Sequence, residues 1–343
     1  MNKNKVICGP CSAETREQIL ETAKWLTSLG YYNFRAGVWK PRTKPGGFEG
    51  HGEEALKWLV EARKLYNIIP YVEVANPSHV ELCKKYGINH IWVGARTSSD
   101  PFATQELANS LENFDCEVLV KNPISADLEL WIGAIQRIKN AGVKIVKAIH
   151  RGFSDYNEKI YRNSPIWTIP LELKSRMPEL EMYCDPSHIS GNSQLIPNLI
   201  NQAYNYGFDG FIIESHCNPK EAWTDAKQQL VPSDMDTMVS ALEEKPEISL
   251  DEYDKLLLSS YRETINNIDT QLIKFFSERM KISKEIGELK GEHNMQALQY
   301  DRWKELLSKN IELGKTYNLD EEFISKIWNI IHEESIKIQS TQK

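Results

Sequence analysis

Eight short β-rich runs, each followed by an amphipathic stretch, fill roughly the first 240 residues of this chain, and that alternation leaves few folds open. The runs are 6–11 (VICGPC), 33–39 (NFRAGVW), 68–75 (IIPYVEVA), 90–95 (HIWVGA), 117–122 (EVLVKN), 143–150 (VKIVKAIH), 182–188 (MYCDPSH) and 210–216 (GFIIESH). Helical stretches at 15–29, 53–66, 77–86, 128–141 and 193–206 separate them. Gly30, Gly87, Gly142 and Gly207 stand where a helix C-cap would precede the next strand. Eight such units in this length predict an α/β fold of the (β/α)8 TIM-barrel class over residues 1–245. The rival, an open doubly wound sheet, lacks its Gly-rich fingerprint after the first strand.

Beyond residue 245 the pattern changes. A linker is placed at 246–251, inside EEKPEIS (243–249), and Ser249 followed by Glu252 has capping-box spacing. Residues 252–343 carry no strand signal and predict an all-α domain of three helices. The first spans 252–290 and ends at Gly291, the second spans 297–313 and stops at Gly314, and the third runs from Asp320 to about 339. The first would be about 58 Å long at 1.5 Å per residue. Its apolar positions (Leu257, Ile265, Ile268, Leu272, Phe275, Phe276, Ile282, Ile286, Leu289) exceed what two shorter helices can cover. A homodimer through this domain is expected, and a coiled-coil arm without chemistry is the alternative.

Composition narrows the function classes. A formal net charge of −7 argues against nucleic acid or a membrane surface as partner, since both need a basic face. The start, MNKNKVICGPCSAE, has no signal-peptide apolar run, and no stretch nears 18 apolar residues. The six scattered cysteines form no disulfide framework. A cytoplasmic protein with reduced thiols is expected.

The strand ends bring Cys11, Lys40, Glu73, Arg96, Lys121, Arg151, His188 and Glu214 to the face where barrel active sites lie. Four cations at one mouth, Lys40, Arg96, Lys121 and Arg151, suit a multiply charged anion such as a phosphate or phosphorylated carboxylate. Cys11, His188, Glu214 and Asp225 offer a thiolate, an imidazole and two carboxylates, a donor set for a divalent transition metal. Cys8-x-x-Cys11 alone could be half a zinc site or a redox pair, but no second such motif exists.

These residues resemble a known family. Gly9-Pro10-Cys11-Ser12, Lys40-Pro41-Arg42-Thr43, Gly94-Ala95-Arg96, Arg162-Asn163, Asp185-Pro186-Ser187-His188, Ile213-Glu214-Ser215-His216 and Asp225-x-x-Gln228-Gln229-Leu230 resemble, in order, the signatures of 3-deoxy-D-arabino-heptulosonate 7-phosphate (DAHP) synthase of type I, β subgroup. The resemblance implies metal ligands at Cys11, His188, Glu214 and Asp225, for one divalent ion: Mn2+ first, with Fe2+, Co2+ and Zn2+ as alternatives. It implies that Arg35, Lys40, Arg96, Lys121 and Arg151 hold phosphoenolpyruvate, that Pro41, Arg42 and Thr43 meet the aldose phosphate, and that Ser187 lies in the substrate site. The related 3-deoxy-manno-octulosonate 8-phosphate synthase resembles Lys-Ala-Asn-Arg where this chain has Lys-Pro-Arg-Thr, so erythrose 4-phosphate is the favoured acceptor. Ala36-Gly37 and Thr97 depart from the family pattern and imply tuned loop and sugar contacts.

In the helical domain, Arg279 and Lys290 differ by only about 20° around a helix and share a face, whereas Arg262 lies roughly 100° away. Cations beside an apolar seam point to a pocket, with snorkelling to solvent as the alternative. Tyr261-Arg262-x-x-Ile265-x-x-Ile268-Asp269, Ser277-Glu278-Arg279, Gly287-Glu288-Leu289-Lys290, Asp301-Arg302 and Glu334-Ser335-x-x-x-Gln339 resemble the all-helical chorismate mutase. The resemblance implies that Arg279, Lys290 and Gln339 act on the substrate's carboxylate and ether oxygen. Arg302 and Ser335 would complete the pocket, Arg262 would enter it from a partner subunit, and no cofactor is needed. Trp303 stands where a Glu is usual and Gln299 where an Asp is usual, and the Trp removes a partner for the substrate hydroxyl. A bifunctional enzyme of aromatic biosynthesis follows, with chorismate or prephenate in the helical pocket inhibiting the barrel, which has no extra N-terminal regulatory domain. The alternatives are a DAHP synthase with a non-catalytic helical sensor, or with a structural dimerisation arm.

Overall fold

The structure, a computed structural model, describes residues 2–40, 46–156, 158–242, 252–293, 295, 296, 298 and 300–340. The chain separates into two compact units, Met1–Glu244 and Lys245–Lys343. The sequence-placed linker 246–251 lies outside the described residues, as does Ser249 of the capping box.

The first unit is a closed parallel barrel: β1 (Val6–Gly9), β2 (Asn33–Arg35), β3 (Ile69–Val74), β4 (His90–Val93), β5 (Glu117–Lys121), β6 (Ile145–His150), β7 (Met182–Cys184) and β8 (Gly210–Glu214), in that order, with β8 pairing back onto β1. All eight expected strands are present, and each is shorter than its apolar run in the sequence. In MYCDPSH the strand ends at Cys184, because Asp185 caps a short helix, Pro186–Ser190, with its side chain on the His188 amide. Helices Pro101–Ser110 and Thr168–Arg176 follow β4 and β6 and complete two of the expected strand–helix units.

Side-chain alternation with period two builds two separate apolar layers. Val6, Cys8, Phe34, Val72, Ile91, Val118, Ala148 and Phe211 face outward under the helices. Ile7, Tyr71, Trp92, Leu119, Ile149, Tyr183 and Ile212 fill the barrel interior. The same parity turns Arg35, Glu73, Lys121 and Glu214 inward, one step above that interior layer at the C-terminal mouth. Arg35 and Glu214 are 1% and 0% exposed, buried charges that only mutual pairing or a ligand can compensate.

The second unit comprises the helices Glu252–Glu292, Tyr300–Thr316 and Glu321–Ser340. Two stops differ from those expected. The first helix runs through Gly291, and the second runs through Gly314 and ends before Asn318, which takes the left-handed conformation at φ 58°. Gly314 serves packing: a Cβ there would sit 2.7 Å from Ile324. Gly287 is a second close approach, since a Cβ would lie 2.8 Å from the Cα of Gln339. In Gly287→Ala, helix propensity gains about 1 kcal/mol, while overpacking costs about 1–3 kcal/mol. The expected net result is a loss of up to about 2 kcal/mol in the helical unit and lowered pocket activity through displaced Gln339, read by thermal unfolding beside the barrel transition.

Ile265, Ile268, Leu272, Phe275, Phe276, Ile282, Ile286 and Leu289 remain 40–62% exposed within one chain. No described helix is long and apolar enough to cross a membrane.

Candidate functional site

At the barrel mouth, Cys11 follows β1 and is fully buried. Its Sγ accepts from Lys40 Nζ at 2.8 Å and donates to Asp225 Oδ2 at 3.3 Å, and its amide donates to Gln229. Burial pushes the thiol up to about 12, with Glu214 and Asp225 adding to the rise and Lys40 and Arg35 opposing it. Cys11, Glu214 and Asp225 each offer a donor atom within 4.8 Å of the others. His188 lies outside that mutual set: its Nε2 is 3.7 Å from Glu214 Oε1 and its Nδ1 meets Asp185.

The carboxylates are held ionised by overlapping neighbours, with His188 and Lys40 common to both and a different guanidinium at each. Burial works against the charge of Glu214, but His188, Arg35 and Lys40 keep its carboxyl below the ordinary range. Arg35 Nη2 is 3.1 Å from Glu214 Oε1, and Gln228 donates to Oε2 at 2.7 Å. Asp225, in the left-handed region at φ 48°, is opposed by burial, yet Arg162, His188 and Lys40 bring it to about 2. Arg162 also donates to Gln228, so one guanidinium ties two residues of the 225–229 segment. Glu214 Oε1 is buried and makes no hydrogen bond among the described residues, nor do Arg35 Nε and Nη1. Buried charged groups with spare valence suit a bound cation beside a bound anion.

The cations extend from this centre. Lys121 donates to Asp185 at 2.9 Å, both of them buried. Arg151 donates to Asn163 at 2.7 Å, and burial with neighbouring Arg162 and Arg96 lowers it to about 10 against the pull of Asp185. Arg96, on the short helix Ala95–Ser98, is exposed. Ser187 is buried, its Oγ accepting from the Glu214 amide at 2.9 Å. Pro41, Arg42 and Thr43 lie outside the described residues. Trp39, Lys40, Glu49, Glu73, Ala75 and His79 line an adjacent cavity of about 200 Å³.

The sequence reading gave Asp185 no role of its own. In the structure its Oδ1 accepts from the His188 amide and ring, and its Oδ2 from Lys121. Burial opposes its charge, but His188, Lys121 and Arg35 hold it well below the ordinary carboxylate range. The signal lay in Asp-Pro, an N-cap ahead of a helix start, placed directly after a strand.

The helical unit has a cavity of about 320 Å³ between its three helices. Arg279, Ser283, Ile286 and Lys290 line it at successive turns of the first helix, and Ser335 and Gln339 at successive turns of the third. Arg279 donates to Ser335 Oγ at 2.5 Å, and Lys290 to Gln339 Oε1 at 3.1 Å. Arg302 lines the cavity and also pairs with Glu305. Arg262, exposed and 17 residues before Arg279, is about 25 Å from it along the helix and does not line the cavity of its own chain. Gln299 lies outside the described residues. His332, unnoticed in the sequence, lines the cavity too, three residues before Ser335 on the same helix face.

A family model described as the DAHP synthetase I family matches residues 2–250, and one described as chorismate mutase type II matches residues 261–340. Phospho-2-dehydro-3-deoxyheptonate aldolase of Thermotoga maritima is 32% identical over 226 residues, 66% of this chain and 64% of that protein. The bifunctional chorismate mutase/prephenate dehydratase of Buchnera aphidicola subsp. Acyrthosiphon pisum is 39% identical over 79 residues, 23% of this chain and 20% of that protein. The chain therefore spans less than two thirds of the length of either curated relative. The crystal structure of the T. maritima DAHP synthase aligns with a TM-score of 0.61 at 29% identity, covering 69% of this chain and 67% of that one. Since the first match runs over most of the sequence and over the whole barrel with its mouth of cations and metal-type donors, this chain belongs to the DAHP synthetase I family, with a type II chorismate mutase domain following the barrel.

Proposed function

We propose that the barrel, residues 1–245, condenses phosphoenolpyruvate with erythrose 4-phosphate to give DAHP and inorganic phosphate. Residues 252–343, after the linker 246–251, rearrange chorismate to prephenate. The observation that carries the first reading is the juxtaposition of the Cys11, Glu214 and Asp225 donors with Arg35, Lys40 and Lys121 at one mouth. A divalent ion (Mn2+ ahead of Fe2+, Co2+ or Zn2+) held by these three donors with His188 would supply Lewis-acid polarisation of the aldose carbonyl.

The chain's own residues do the rest. Arg35, Lys40, Lys121 and Arg151, with Arg96 at the rim, bind the phosphate and carboxylate of phosphoenolpyruvate, and Pro41, Arg42 and Thr43 receive the aldose phosphate. Holding two mutually repelling anions in register lets carbon 3 of phosphoenolpyruvate reach the carbonyl carbon. Water then adds at carbon 2 and phosphate leaves. Asp185 keeps the Lys121 ammonium and the His188 ring in fixed orientation. Ser187 fixes Glu214 through its backbone.

For the second reaction no nucleophile or base is required, only a rigid pocket that stabilises negative charge growing on the ether oxygen. Arg279 and Lys290 provide that charge. Because Lys290 engages the Gln339 carbonyl oxygen, the Gln339 amide NH2 is left to donate to the same ether oxygen. Ser335 orients Arg279, and Arg302 takes a carboxylate. Arg262 can reach such a pocket only in another copy, which accords with a homodimer covering the exposed apolar face of the long helix. Chorismate or prephenate in this pocket is proposed to inhibit the barrel.

The test is a paired assay on metal-reconstituted protein. Phosphoenolpyruvate loss is followed with erythrose 4-phosphate against arabinose 5-phosphate, and chorismate loss is followed separately. Turnover with the four-carbon sugar and with chorismate is expected. Turnover with only the five-carbon sugar would overturn the barrel assignment, and absent chorismate turnover would reduce the helical unit to a sensor or arm.

A further inference from the structure

Among the described residues that line the helical cavity, one carries a buried side-chain polar atom without a hydrogen-bond partner. His332 Nε2 is buried and makes no hydrogen bond among the described residues. The ring lies flat on Trp303, with centroids 3.8 Å apart and planes 5° from parallel. Both residues line the cavity, His332 from the helix Glu321–Ser340 and Trp303 from Tyr300–Thr316. Burial, together with nearby Arg279 and Lys290, lowers the imidazole pKa, so the ring is neutral at neutral pH. A buried polar atom without a partner is costly unless a ligand satisfies it.

We propose that His332 binds the ring hydroxyl of chorismate through Nε2, and that Trp303 is the positioning residue that fixes the imidazole plane. This rests on the mutase reading of the cavity. The three lining cations, Arg279, Lys290 and Arg302, match the two carboxylates and the ether oxygen, where charge sits or develops. The hydroxyl is the one polar group of chorismate that remains, and it is neutral. A neutral imidazole can donate to it or accept from it, whereas another cation would compete for the carboxylates. Stacking also accounts for the Trp at 303: a flat indole holds a neighbouring ring in one plane with little rotamer freedom.

The variants are His332→Phe, which keeps a ring on Trp303 and deletes the nitrogens, and His332→Gln, which restores a hydrogen-bonding group. Each is assayed in the full chain with chorismate and with its analogue lacking the ring hydroxyl. His332→Phe should lose roughly 3- to 10-fold in kcat/KM with chorismate, the size of one neutral hydrogen bond. The loss should fall mainly in KM, since a hydroxyl contact is made alike in ground and transition state. The deoxy analogue should show no change, and His332→Gln should recover part of the loss. Equal losses on both substrates, or none on either, would overturn the proposal. A wild-type protein inactive on chorismate sinks the mutase reading separately. The same comparison is then made by calorimetric binding of the two compounds, and an equal affinity change for both counts against His332.

Discussion

Cys11→Ala should lower DAHP synthesis by roughly 1,000-fold or more, the order expected when several kcal/mol of Lewis-acid stabilisation is lost, while chorismate turnover stays at the wild-type level. Cys11 is the better target than Glu214. Removing the Glu214 carboxylate would strand Arg35, 1% exposed, with no counter-charge at 3.1 Å, and breaking such a pair costs about 3–5 kcal/mol in stability alone. Cys11 to Ala deletes one sulfur and leaves a small cavity, a cost near 1 kcal/mol. The Cys11 thiol, pushed up to about 12 by burial, is protonated when no cation is bound, so metal uptake must displace its proton and weakens as pH falls. Metal content by mass spectrometry, measured beside both activities, completes the test. Full metal occupancy with more than a tenth of the synthase activity retained in the variant would remove Cys11 from the ligand set.

The barrel was legible because its strands are fully buried runs separated by capped helices, and because alternation carries a hydrophobic pattern directly into a list of inward-facing charges. Lys121 and Glu214 follow from Leu119 and Ile212 by counting two. What sequence could not convey was pairing across the barrel. Asp185 and Lys121 are 64 residues apart yet 2.9 Å in contact, and a strand end gives no sign of which other strand end answers it. The helix running through Gly314 has the same origin. Local chemistry makes glycine a stop, but the tertiary approach of Ile324 makes Gly314 a packing position inside a helix. His332 went unnoticed because a His directly before two glutamates on a helix reads as surface. Its proximity to Ser335 and Gln339 at three- and seven-residue spacing was the available clue.

Arg279→Ala should lower chorismate turnover by roughly 100- to 1,000-fold, the range for removing one charge-stabilising donor from a preorganised pocket, with DAHP synthesis unaffected in the absence of prephenate. Arg279 donates to Ser335 across the first and third helices. It is half-buried, and burial lowers its pKa from the ordinary guanidinium value; a guanidinium is not deprotonated in proteins, so its charge persists across the working pH range. The loss should appear in kcat more than in KM, because the ether oxygen gains charge only on the way to the transition state. The same variant separates the three roles open to the helical unit. A catalytic domain loses turnover, and if it also communicates with the barrel, inhibition of DAHP synthesis by prephenate disappears with it. A sensor without catalysis shows no turnover in the wild type and loses only the inhibition. A dimerisation arm loses neither, since Arg279 lines the cavity instead of the exposed apolar face formed by Ile265, Leu272 and Phe276. Retained turnover in Arg279→Ala, with an unaltered melting profile, would mean that the charge acting on the ether oxygen comes from Lys290 alone.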